Sequence, residues 1–114
     1  MDISLKGIGA GMVYLQRGDS FKVKCDFDYI GAPQGMVFEL SMRHDTMSAD
    51  PWHIVGNPKF SVLGAKTWEP VSAEITYKVP SSVVNGDQNI RMRMIADDKT
   101  EENSGVYVNV IRIT

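Results

Sequence analysis

Phe21-Lys22-Val23-Lys24-Cys25-Asp26-Phe27-Asp28-Tyr29 alternates apolar and charged side chains at every position. Successive side chains of an extended strand point to opposite faces, so this alternation makes one dry face and one wet face. Phe21, Val23, Cys25, Phe27 and Tyr29 belong to the dry face; Lys22, Lys24, Asp26 and Asp28 belong to the wet one. Wound into a helix, the same residues would scatter apolar groups around the axis and bury none of them well. The stretch predicts a half-buried β-strand, and with it a protein built of packed sheets.

The same period continues on both sides. Gly31-Ala32-Pro33-Gln34-Gly35 predicts a hairpin loop, with Pro33 presetting φ. Beyond it, Met36, Phe38, Leu40 and Met42 alternate with Val37, Glu39, Ser41 and Arg43, which predicts a second long strand paired antiparallel with the first. Toward the N-terminus, an alternating strand begins at Ile3 and is interrupted by Gly7, Gly9 and Gly11. A phosphate-binding loop would need a helix directly behind it, but Met12-Val13-Tyr14-Leu15 reads as strand, so a first strand that kinks and changes sheets is expected. Residues 44–58 carry Pro51, Gly56 and Pro58 and are read as irregular, with room for one helical turn.

A short peripheral strand follows at Phe60-Ser61-Val62-Leu63. Val71, Ala73, Ile75, Tyr77 and Val79 then form the dry row of another strand, closed by Pro80. After an Asn85-Gly86 turn, Ile90, Met92 and Met94 point inward, with Arg91, Arg93 and Ile95 outward. The last strand runs over residues 106–113, and its parity changes between Val110 and Ile111, which predicts a bulge. Seven to eight short strands with turn chemistry between them, and no amphipathic helix, predict a single all-β domain over residues 1–114, an antiparallel β-sandwich.

Size and charge narrow the function classes. A chain of 114 residues buries roughly two-thirds of its unfolded surface and needs no staple to fold. The formal net charge of −2 argues against a general nucleic-acid binder. No apolar run is long enough to span a bilayer, so no membrane insertion is expected. The N-terminal residues lack the layout of a secretory signal, which predicts either a chain made without export or a domain excised from a longer exported one. With Cys25 alone, no intramolecular disulfide forms.

The order of strands resembles the immunoglobulin-like sandwich in its fibronectin-III or bacterial cell-adhesion-related (CARDB-like) form. The resemblance rests on Val79-Pro80, on Asn85-Gly86-Asp87, and on Ile90-Arg91-Met92-Arg93-Met94-Ile95-Ala96-Asp97, which look like the strand E, turn and strand F of those modules. The acidic run from Asp97 to Asn103 looks like their F–G turn. Cys25 stands at the strand B position of an antibody-type disulfide, but strand F supplies Met92 and Met94, and Phe38 stands where such domains carry a strand C tryptophan. The resemblance implies a non-catalytic spacer or binding module and places strands C, F and G in one sheet.

Chemistry finds few candidates. His44, Asp45, Asp50 and His53 share a stretch, but the two histidines are nine positions apart, unlike the tight ligand pairs of zinc sites. Asp97, Asp98, Glu101, Glu102 and Asn103 lack the spacing of a preformed calcium loop. Cys25 faces the core, and no nucleophile, base and orienting group can be assembled from the sequence; no enzyme and no cofactor are expected. Trp52 either stacks on a sugar or anchors a protein partner, with His53 beside it, or folds back as a plug over the open end of the sandwich. Trp68 is read as a core-edge residue.

A shared C–F–G sheet would present Val37, Glu39, Arg43, Arg91, Arg93, Ile95 and Tyr107 on its outer face, either as a protein interface or as a solvated sheet with Glu39 paired to an arginine. The expected function is a protein–protein contact module within a larger surface or virion assembly, by a protein partner or by self-assembly. The alternative is a carbohydrate-binding accessory domain using the Trp52 loop.

Overall fold

The computed structural model describes residues 2–5, 12–45 and 50–114. Among them lie nine strands: β1 (Asp2–Leu5), β2 (Val13–Leu15), β3 (Ser20–Gly31), β4 (Gln34–His44), β5 (His53–Gly56), β6 (Lys59–Val62), β7 (Ala65–Lys78), β8 (Gly86–Ala96) and β9 (Glu101–Ile113). They form two sheets. One is three-stranded, in the order β1-β3-β7; the other runs β2-β9-β8-β4-β5, with β6 also paired to β4. Every pairing is antiparallel except β2 with β9, which is parallel.

The decisive stretch behaves as its alternation demands. Phe21, Val23, Cys25 and Phe27 on β3 are buried, while Lys22 and Lys24 are exposed. On β4, Phe38, Leu40 and Met42 are fully buried, and on β8 Ile90, Met92 and Met94 turn the same way. These rows meet between the sheets, where the Phe27 and Phe38 rings lie 6.0 Å apart and Phe60 packs edge-on against Phe38 at 5.9 Å. Burying each large side chain of this kind contributes roughly 1.5–3 kcal/mol, an upper bound because unfolded chains already hide some surface.

Two expectations are corrected here. The strands on either side of Gly31 do not pair with each other: β3 pairs with β1 and β7, and β4 with β5, β6 and β8. The connection is an arch that carries the chain from one sheet to the other. Gly31 sits at φ +142°, a conformation open to glycine, and Pro33 stiffens the crossing. Two strands with dry rows of equal strength satisfy both by facing each other. Second, the stretch read as irregular contains β5, added to the edge of β4.

Other expectations hold. The first strand does change sheets, with β1 in the smaller sheet and β2 in the larger; the glycine run itself lies outside the described residues. β4, β8 and β9 share one sheet. Between β8 and β9 the register shifts twice, from Gln88↔Ile111 to Ile90↔Tyr107 and from Arg91↔Val106 to Arg93↔Asn103. The first shift is the bulge that the parity change predicts. The second positions the site described next.

Candidate functional site

The outer face of the larger sheet is built from the alternate residues of β4, β8 and β9. In register, Glu39 lies opposite Arg93 and Ser41 opposite Arg91. Arg93 contacts Glu39 at 3.3 Å and Glu101 at 3.8 Å, a partly exposed network of the kind that contributes at most about 1 kcal/mol per pair. Between Arg91 and Arg93, β9 advances three residues, from Val106 to Asn103, while β8 advances two. The extra residue is taken up at Ser104-Gly105, where Gly105 adopts φ +79° and the Ser104 hydroxyl accepts the Met92 N–H at 2.9 Å. The bulge opens a cleft of about 500 Å³ lined by Glu39, Ser41, Arg91, Arg93, Asn103 and Val106 among others.

Trp52, on the segment leading into β5, is laid over this face. The guanidinium carbon of Arg91 lies 4.1 Å from the centre of its ring, and that of Arg43 lies 4.9 Å away. Such contacts contribute about 0.5–2 kcal/mol each, and they fix the planes of otherwise flexible side chains. Among the described residues no carboxylate lies within ion-pair distance of Arg43 or Arg91, and Arg43 Nε is buried without a hydrogen-bond acceptor.

His53, the next residue, holds the segment in place. Its Nε2 lies 2.9 Å from Asp50 Oδ1, and its Nδ1 lies 3.2 Å from the Ser82 hydroxyl in the turn after β7. Asp50 is buried and accepts the His44 N–H on its second oxygen at 3.0 Å. Burial opposes ionisation of Asp50, but the His44 amide and the His53 ring outweigh it and hold the carboxyl below its usual range. This Asp50–His53–Ser82 chain ties the approach to β5 to the turn that follows β7. Ser82 lies 29 positions from His53, and no local pattern in the sequence announces the contact.

The structure thus brings Trp52, Arg91 and Arg93 onto one surface, as sequence reasoning grouped them in part, and adds Arg43 through the tryptophan, whereas His53 pairs with the buried Met42 and turns to the other face, toward Ser82. Tyr107 is a correction. It pairs with the buried Ile90, packs against the core, and its hydroxyl accepts the Ile3 N–H at 3.3 Å. The register shift turns Val106, 53% exposed, into the outward residue instead.

The tryptophans also exchange roles. Trp52 is half-buried, neither an open platform nor a plug over the end of the sandwich, since guanidinium groups lie against its ring. Trp68, expected at the core edge, is 68% exposed. Its exposure has a signal in the flanking Lys66, Glu69 and Pro70.

Metal chemistry gains no site among the described residues, where no group of three or more His, Cys, Asp or Glu converges. Asp97 and Asp98 serve the fold. Asp97 is bonded to Lys59 and accepts the Gly35 N–H at 3.0 Å; the lysine and then the amide lower its pKa. Asp98 accepts the Thr100 N–H at 2.9 Å. No helix among the described residues is long and apolar enough to cross a membrane.

Fold and site together define an all-β sandwich whose larger sheet carries an arginine–tryptophan stack beside a bulge-made cleft. No family model matches the chain, and no curated protein matches it. Among solved structures it is similar to Spo0M, a sporulation control protein from Bacillus subtilis, with 12% identity and a TM-score of 0.51. The likeness covers 97% of this chain and 48% of that one, so this chain spans about half the length of its structural neighbour. It supports the all-β fold and does not extend to a fibronectin-III or CARDB type.

Proposed function

We propose that this protein is a non-catalytic contact module that binds a protein partner through the outer face of its larger sheet. One observation carries the reading: Arg43 and Arg91 are held against Trp52 beside an open cleft, with no carboxylate of the described residues to neutralise them. Tryptophan and arginine dominate the energetic centres of protein interfaces, because each buries a large surface and arginine offers planar donors. Two guanidinium groups already stacked have surrendered much of the rotamer entropy that docking would otherwise cost. Assembly into a larger cell-surface or virion structure is one setting for such contact.

The test is site-directed photo-crosslinking in the cells that make the protein. A photoreactive residue at Val106 should give a protein adduct of defined mass, lost when Arg91 and Arg93 are both changed to Ser. The same residue at Thr76, on the exposed face of the smaller sheet, is the control. Adducts in equal yield from both positions, or none from Val106, would refute the proposal.

A further inference from the structure

Resting on that reading, we infer that the cleft selects a partner segment bearing isolated carboxylates among neutral residues. The charge pattern of the cleft makes the selection. Arg93 is engaged by Glu39 and Glu101, whereas Arg91 lies over Trp52 with its charge uncompensated among the described residues. A carboxylate entering from solvent meets Arg91 as its free cationic partner, in a plane fixed by the tryptophan and suited to two parallel hydrogen bonds.

The remaining walls exclude other anions. Glu39 and Glu101 stand on the same cleft, so a phosphate chain or a run of acidic residues would press charge against charge. The exposed Asn103 offers hydrogen bonds of the kind a peptide backbone uses, and Val106 offers an apolar contact that a bare phosphate would leave unused. An extended segment with one or two Asp or Glu side chains, spaced by small or aliphatic residues, satisfies all of these groups together.

The experiment uses the full chain in a Trp68→Phe background, so that Trp52 alone reports by fluorescence. A short blocked peptide with two glutamates among serine, alanine and leucine is titrated against its glutamine counterpart. The glutamate peptide should bind roughly tenfold more tightly. Its advantage should shrink with added salt and vanish in Arg91→Gln. Arg91→Lys, which keeps the charge and loses the planar fork, should retain part of it and serves as a second variant if the first is poorly folded. Equal binding of the two peptides overturns the selectivity while leaving the contact reading in place. Undiminished discrimination in both variants, or no binding of either peptide, also overturns the inference. The crosslinking result from Val106 decides the contact reading separately.

Discussion

The Tyr77 hydroxyl, carried on β7 of the smaller sheet, donates a 2.9 Å hydrogen bond to the Phe38 carbonyl on β4 of the larger one. It crosses the dry interior and ties the layers at one point. Burial, with a smaller contribution from Cys25 nearby, raises the phenol pKa well above its ordinary value. Tyr77→Phe should therefore cost about 1–2 kcal/mol in urea unfolding, since it strands a buried acceptor while keeping the ring. In the native protein the neutral phenol is favoured by folding. This stabilisation is complete below the unfolded tyrosine value near pH 10 and is lost as pH rises above it. The variant should lose less stability over that alkaline range.

Asp50 gives the opposite sign. Its folded pKa lies below the ordinary 3.8, so its contribution is present above that value and disappears as pH falls through the folded one. Thermal unfolding of the wild type should weaken below about pH 4, and Asp50→Asn should flatten the acid limb while lowering stability at neutral pH. Equal acid limbs in the two proteins would show that the His44 and His53 hydrogen bonds contribute nothing net.

Two glycines should respond differently to alanine. Gly105, at φ +79°, has open space where a Cβ would sit, so its substitution costs only the backbone conformation, about 1 kcal/mol. Gly86, at φ +118°, would bring a Cβ within 2.5 Å of His44 Nε2. Gly86→Ala should destabilise more than Gly105→Ala in denaturant titrations, because the His44 ring must also move.

Acrylamide should quench the two tryptophans unequally. Trp68 is largely exposed, and Trp52 is shielded by Arg43 and Arg91. Trp68→Phe should leave an emission several-fold less accessible to quencher than that of Trp52→Phe. Adding Arg91→Gln to the first variant should raise Trp52's accessibility.

The period-two alternation made the rows of the core legible residue by residue, from Phe21 to Phe27 and from Met36 to Met42, because burial of one face is a local property of a strand. Pairing is not local. The alternation in β3 and β4 is equally compatible with a hairpin and with an arch, and nothing in Gly31-Ala32-Pro33 distinguishes them. The outer face was legible on β8, where Arg91 and Arg93 keep strict parity, and misread at Tyr107, where a bulge shifts the phase. The contact between His53 and Ser82 joins segments that only the packed sandwich brings together. Trp52 was visible as a residue out of register with any strand, but the arginines against its ring depend on where the approach to β5 crosses the sheet.

The parallel pairing of β2 with β9 sets Val13 beside Ile111 and Leu15 beside Ile113. Ribosomal synthesis delivers these partners almost a full chain length apart in time. The larger sheet accordingly lacks one border until its final strand has emerged, and β2 must wait with its backbone donors and acceptors satisfied only by water. Such distant closure makes the last folding step slow and hands any chaperone or neighbouring chain an interval in which to intervene.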